Sequence, residues 1–503
     1  MIYFVVRIHK TDSHKRKVFY EVLTPVKLRA YLVSAEKQKT KTIVLKALPS
    51  DRCTKISIVV NFLKDCRKQS SFAESGFISL EELRKSKTPH HLEISIVNYG
   101  QNSHNSNISS IIGRETYVYV KFEGINAKIP ADTPVIIDDL QRAVCQEITV
   151  AGKHYYDSCQ IIHSAEGTSV KIGDSLTLAC GKFDSHTIGM KVSFPPYLRK
   201  AAKDMQFLID AVNAKQFEIS AVKLNFFDES INDFVLSTQK RLVDYRRMIA
   251  LLDILNVNDD LYLDGLTKDQ KNNIEILIKT FIDKKEITNI TTKTRISVTD
   301  LKISNIVLKL ILWKNENGTH TIHDFFNSDA TFWYNEKDKN GTPKIASPYS
   351  ALSKDDYLIV SNINYDKIID SYKKVVALNL EILDQANLDM LQMLLAYDER
   401  PDARLLGVAK DIVLWISAED KNNSNKINTL NHLQIIRRER ALNTDEKKLL
   451  CEIAEDISTS EQEKTGAYLL LNNQVLAEIH FNRLTKEEQE VFMSFPIYKF
   501  WTS

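Results

Sequence analysis

The final third of the chain places the tightest limit on how it can fold. Apolar residues in 365–503 recur at helical spacing and are broken only by short polar joints. That is the pattern of amphipathic helices stacked on one another. The spacing predicts helices over 365–383, 387–397, 401–418, 424–437, 444–457, 460–472, 474–484 and 486–493. Pro401 stands at one start, where a missing N–H costs little. Thr444 with Asp445 and Glu446 behind it marks another, since acidic groups favour the first helical turn. Helices joined by such short connections must be neighbours. A region of this kind is expected to bind rather than to transform.

The rest of the chain is mixed. At 503 residues and 43% hydrophobic it exceeds one ordinary core, and roughly three domains is the prior. The expected fold class is α+β and multidomain. β-Rich N-terminal modules lead to a helical hairpin with a small sheet, then to an all-α, helical-repeat-like C-terminal domain. The expected segments are 1–115, β-rich; 116–215, a small β sandwich or barrel plus a helix; 216–362, a helical hairpin and small antiparallel sheet; and 363–503, helical.

Within the first segment, Phe4–Ile8, Val18–Leu23 and Thr42–Leu45 are dense in β-branched and aromatic residues and read as strands. Helices are expected at 56–68 and 79–85, the latter opened by Ser79-Leu80-Glu81-Glu82. The stretch 98–110, rich in Asn, Ser and Gly, reads as a loop or boundary. Short strands at 117–122, 135–137, 147–150, 160–162 and 175–178 then recur at the spacing of small all-β domains.

Pro195-Pro196 opens a helix to about Ala214. A longer one covers 231–255, with Leu242, Tyr245, Ile249 and Leu252 as a brief seam. Its expected partner is 267–281, opened by the capping box Thr267-Lys268-Asp269-Gln270. Strands are expected at 286–298 and 303–313, with Asn317-Gly318 turning a hairpin into 319–322. Residues 327–362 read as irregular, closing with a strand at Asp356–Val360.

One window of the tail resembles a known repeat. In Lys464–Pro496, Gly466 and Leu469 fall at the small and large positions of a tetratricopeptide-type first helix. Ala477 and Phe481 fit the small and aromatic positions of the second. The turn at Asn472-Asn473 is shorter than that repeat's, and the other signature aromatics are missing. The resemblance implies a solenoid whose concave face binds a peptide or partner domain. An ordinary helical bundle is the alternative.

Motifs for chemistry are sparse: the sequence has no P-loop, dinucleotide fingerprint or nucleophile elbow. Cys145, Cys159, His163, Cys180 and His186 cluster in sequence, but the only close pairs, Cys159/His163 and Cys180/His186, lie in strand-like context rather than on the tight knuckle that zinc needs. Asp138-Asp139 and Glu147-Ile148-Thr149 sketch a restriction-type nuclease core, with Thr149 standing where a Lys is needed. His320 and His323 point to opposite faces of a strand. No metal or cofactor is expected.

Charge is uneven despite a net of +2. Residues 1–50 carry 11 Lys/Arg against 3 Asp/Glu, and residues 441–503 carry 6 against 11. Lys10, Lys15, Arg16, Lys17, Lys37, Lys39 and Lys41 are candidates to track phosphates. Trp415, His432, Arg437, Arg438 and Arg440 are the candidate partner-binding residues of the tail. Six scattered cysteines suit reduced thiols in a cytoplasmic protein, and no run approaches a membrane span. The expected function is a non-catalytic recognition or scaffold subunit that binds a partner protein through its helical region. The expected setting is a bacterial multi-component system such as anti-phage defence. The competing expectation is a nucleic-acid-binding protein or nuclease that uses the basic front.

Overall fold

The computed structural model describes residues 1–501 apart from 13–14, 35–39, 41, 73–75, 86–89, 95, 97–111, 114, 123–126, 165, 181–187, 221, 226–230, 289–291, 293, 327–335, 338–342, 345, 377–380 and 420–425. The chain is an α+β protein that divides into two units. One comprises 1–195 with 204–235, the other 196–203 with 236–503.

The first unit opens with a regular hairpin, Ile2–Ile8 against Arg16–Val22, extended by the short strand Lys46–Ala47. That last strand lies beyond the expected Thr42–Leu45. Pro25–Ser34 is a helix where the sequence pattern predicts none, although Pro25 at its first position is a favoured start. The helix Arg52–Ser70 is capped by Asp51, whose side chain accepts from Thr54 N–H at 2.7 Å. A second small sheet orders His90–Ile94, Val118–Phe122 and Ile129–Pro130. The expected loop at 98–110 lies outside the described residues.

Residues 139–225 correct the expected sandwich or barrel. They form one open antiparallel sheet of seven strands. The order is Ile188–Val192, Leu176–Cys180, Gly167–Ile172, Lys153–Ser164, Asp139–Val150, Gln216–Ile219 and Val222–Asn225. Its two central strands are 12 residues each. The helix Leu198–Asn213 sets Phe207 and Ala211 into the core with Ile148, Tyr155, Ile172 and Phe217. Inside that face the buried Asp204 accepts from Tyr156 Oη at 2.5 Å, Ser175 Oγ at 2.5 Å and Asp174 N–H at 3.0 Å. Gly173 turns beside this network with φ +55°, and an added Cβ would lie 2.8 Å from both Asp204 Oδ1 and Tyr156 Oη.

In the second unit, Lys268–Phe281 carries the expected capping box between Thr267 and Gln270. Its Ile274 and Leu277 share a core with Leu251, Leu252, Ile303 and Ile306. The strands sit later than expected, at Ile296–Ile303 and Ile306–Lys314, joined by a tight turn with Ser304 at φ 52°. The second hairpin forms where Asn317-Gly318 predicts it. Its connection is longer than two residues, and Gly318 at φ 82° donates to Asn315 C=O at 3.0 Å. The strand expected at Asp356–Val360 is instead a helix, Lys354–Ile359. The box between Ser353 and Asp356 nucleates it and overrides the apolar run that follows.

The tail is helical: Ile368–Val376, Ile382–Glu399, Ala403–Glu419, Lys426–Glu439, Thr444–Glu455, Glu461–Leu470, Gln474–Phe481 and Lys486–Met493. Two apolar clusters hold it. One joins Phe326, Tyr349 and Tyr357 to Tyr372, Met390 and Ile412, so the core runs across residue 362 without a break. The other joins Leu433, Leu450, Leu469 and Phe500. The window Lys464–Pro496 holds parts of three helices where a tetratricopeptide repeat has two. Its small residues still pack as small residues must: Ala477 is fully buried, and a Cβ on Gly466 would meet Ile497 Cδ1 at 3.0 Å. Among the described residues no helix is long and apolar enough to cross a membrane.

Candidate recognition sites

The first unit contains a polar pocket of about 350 Å³ lined by Tyr20, Glu21, Lys46, Asn61, Asp65 and Glu115, among others. That volume falls in the range of small-molecule sites. Three of these lining residues, Glu21, Lys46 and Glu115, belong to a charge ring completed by the buried Lys27. Lys27, placed by the helix after the hairpin, donates to Glu21 on the second strand of that hairpin. It also donates to both oxygens of Glu115, at 2.7 and 2.8 Å. Lys46 closes the ring from the surface, 2.9 Å from Glu115. Burial alone would lower the Lys27 ammonium, but the hydrogen bonds and charges of Glu115 and Glu21 outweigh it and hold the pKa above the ordinary lysine value. Burial likewise opposes ionisation of Glu115, and the two lysines outweigh it to hold the carboxyl low.

A second polar chain runs alongside. Val26 N–H donates to Gln69 Oε1 at 3.2 Å, Gln69 Nε2 reaches Tyr119 Oη at 3.4 Å, and Tyr119 Oη donates to Asp65 at 2.8 Å. Burial raises Asp65 against the lowering hydrogen bond from Tyr119. Each charged group around this pocket therefore has an answering group in the protein itself. The arrangement holds the fold and presents a polar wall.

The basic residues of the front sit together only in part. Lys10, Lys15, Arg16 and Lys17 lie at the turn end of the first hairpin, where all four are exposed and Lys15 is 3.6 Å from Asp12. Lys37, Lys39 and Lys41 lie outside the described residues.

The tail candidates scatter, and two of them are structural. Trp415 is 7% exposed and stacks on Tyr372, so it belongs to the core rather than to a partner face. Arg438 forks onto Asp398 at 2.8 and 2.6 Å and donates to Pro496 C=O at 2.8 Å, with 1% of its side chain exposed. It ties helices together. Arg437 lies over the Phe500 ring at 4.3 Å and donates to Leu469 C=O. Arg440 is exposed and paired with Glu446, whose carboxyl it pulls down to about 2. His432 is half-buried, and burial lowers its pKa.

Geometry also answers the chemical patterns. Asp139 and Glu147 lie on one strand, Asp139–Val150, so the nuclease pattern loses its second strand. Their separation is about 27 Å at strand rise. Cys145 stands opposite Ser158, and Cys159 opposite Val144, which puts the two thiols on opposite faces of the sheet. His163 is engaged with Thr168 at 3.0 Å. The side chains of Cys180 and His186 lie outside the described residues. His320 is buried and His323 faces the other way on the same strand, as the spacing requires. Among the described residues, no group of three His, Cys, Asp or Glu is placed to hold a metal ion.

Sequence reasoning missed the Lys27 ring. Its members stand 6 and 88 residues apart, so no local pattern joins them. It also missed two buried carboxyls of the second unit. Burial pushes Asp324 up to about 6 and Asp389 up to about 7, against hydrogen bonds from Asn362 and Tyr372 respectively. Comparison with known proteins finds no matching family model, no matching curated protein and no matching solved structure.

Proposed function

We propose that this protein is a non-catalytic recognition subunit whose helical region 363–503 docks a partner protein within a multi-component assembly. The observation that supports the reading is the helix Gln474–Phe481. Its apolar residues are divided: Ala477 is buried, while Val475 and Ile479 are 68% and 44% exposed. Four residues apart on a helix, those two share one outward face. Ile457, at 96% exposed, adds apolar surface in the same region of sequence. A partner that covers this face presents apolar side chains, with a basic group for the exposed Glu478 beside them.

The test is retention of a partner from native lysate by the full chain and by Val475→Asp with Ile479→Asp. One protein held in stoichiometric amount by the parent and lost from the folded double variant is the expected result. No stoichiometric partner, or equal retention by both, overturns the reading.

A second reading rests on the exposed cluster Lys10, Lys15, Arg16 and Lys17 at one end of the hairpin. Under it, the front binds nucleic acid with an affinity that falls steeply with salt. A triple exchange of Lys15, Arg16 and Lys17 to Gln would flatten that salt slope. Salt-independent binding, or none, removes this reading.

A further inference from the structure

The first strand, Ile2-Tyr3-Phe4-Val5-Val6-Arg7-Ile8, is an outer strand of its sheet, and among the described residues no strand pairs with its free side. Met1 and Leu23 exchange backbone hydrogen bonds, Met1 through its terminal amine, at 2.8 Å each way. In an antiparallel ladder such pairs alternate. Tyr3, Val5 and Arg7 therefore turn their N–H and C=O groups toward the second strand, across from Glu21, Phe19 and Lys17. Ile2, Phe4, Val6 and Ile8 turn theirs outward.

The side chains on this edge are exposed as well: Tyr3 47%, Phe4 51%, Val6 52% and Ile8 56%. The devices that usually guard an edge are missing from it, since the strand has no proline, no lysine and no acidic residue, and its one charge is Arg7.

We infer that this edge pairs with the same strand of a second copy of the chain, antiparallel and about a twofold axis through Val5. The sequence of the strand selects that occupant. Outward-turned residues must face outward-turned residues, so only registers that set even positions opposite even positions form the ladder. Among these, an axis on Val5 engages the whole strand. Ile2 lies opposite Ile8, Phe4 opposite Val6, and Val5 opposite itself. Every apolar residue on the outward-bonding set meets another, and Arg7 lies across from Tyr3, where a guanidinium on an aromatic face is favourable. The two copies of Arg7 are then four residues out of step, about 14 Å apart along the strands, beyond the screening length of about 10 Å at 0.1 M salt. The basic turn ends leave in opposite directions. An axis shifted to Phe4 or Val6 leaves Ile8 or Ile2 outside the seven-residue ladder. The product is a continuous sheet across two chains, by the strand-addition mode of association.

The register makes the test specific. In Phe4→Lys with Val6→Lys, each new ammonium faces another across the axis. In Phe4→Lys with Val6→Glu, each faces a carboxylate. Both remove the same apolar side chains, and both leave the ladder within the hairpin intact, because neither position bonds to the second strand. Sedimentation velocity on the full chain, from low to high micromolar concentration, reads the result, with circular dichroism to confirm that each variant is folded. The expected outcome is a parent that dimerises with concentration, loss of dimer in the Lys/Lys variant, and its return in the Lys/Glu variant. A monomeric parent over the whole range overturns the inference and gives the edge to some other chain. A dimer that survives in the Lys/Lys variant overturns it too, since the interface then lies elsewhere. Loss in both variants overturns the Val5 axis. As a second measurement, Val5→Cys places two thiols in directly opposed, non-hydrogen-bonded positions within disulfide reach. Non-reducing electrophoresis should show a covalent dimer absent from the parent and from Tyr3→Cys, and its absence counts against the axis.

Discussion

The front sheet and the helical tail dispose of their apolar surface in opposite ways. In the tail, Leu450, Leu469, Met390 and Ile412 are fully buried, and three helices open with reciprocal boxes at Asn443, Ser460 and Thr485. In the front sheet, Phe4, Val6 and Ile8 stand half in solvent, and among the described residues Val26, Tyr117 and Tyr119 form a small apolar cluster with Phe77 against it. The interior of the front also holds charge: Lys27 and Glu21 are buried, and Glu115 and Lys46 join them from the surface. The tail is therefore held by many local signals and a large apolar core, and the front adds to its apolar residues a buried ionic contact that is costly to interrupt.

The comparison can be broken most sharply at Lys27. Lys27→Met should leave Glu21, 2% exposed, without its counter-charge. A loss of about 4 kcal/mol is expected, as for a buried pair stripped of one partner. Hydrogen exchange should show it confined to the front, and a uniform loss over the whole chain would deny that the front is held separately. Next in size, Arg438→Ala should cost about 3 kcal/mol in the tail, because Asp398 keeps only the more exposed Lys499 at 2.6 Å. A denaturation midpoint that does not move would mean the fork contributes nothing.

The next effect carries a sign. Folding raises Asp389 from 3.8 to about 7, so between those values the folded chain holds a proton that the unfolded chain releases. Stability from this group is thus complete in acid and falls as pH climbs toward 7. Asp324, raised to about 6, adds to the same trend. Asp389→Asn should be more stable than the parent at pH 8, by up to about 4 kcal/mol, and so melt higher there, with the advantage gone near pH 4. An advantage independent of pH would contradict the assignment. The smallest change is Ser460→Ala, which removes one box from Glu461–Leu470 and should cost about 1 kcal/mol. Thermal melts of the full chain can resolve it.

Sequence legibility followed the same division. Lys486–Met493 and the start at Thr444 were readable because caps and apolar spacing lie within a few residues of each other. So was the box at Thr267. The box at Ser353 is equally local, but the apolar run Tyr357–Val360 after it has the composition of a strand, and a helix forms there instead. The long strands Asp139–Val150 and Lys153–Ser164 are expected only in part, at 147–150 and 160–162, the former being the buried end of its strand. Their outer halves, with Gln141 and Arg142 exposed, show no alternation, and pairing across the hairpin sustains them instead. The charge ring left no trace in the sequence, because nothing about Lys27 announces Glu115. Of the proposed recognition residues, the basic hairpin end was legible from composition. The outward face of Gln474–Phe481 was not, because its apolar residues read as core.

The separation between Lys27 and Glu115 has a consequence in time. Eighty-eight residues lie between them, so a chain emerging from the ribosome carries Lys27 and Glu21 for the whole interval before the second carboxylate exists. The hairpin and its following helix can form early, but their ionic interior stays incomplete until the strand beginning at Glu115 arrives. Most helices of the tail pack on the next helix in the chain, as Ile382–Glu399 does on Ala403–Glu419, and low sequence separation favours rapid closure. The front is thus made first and completed late, and its apolar edge is on offer throughout the wait.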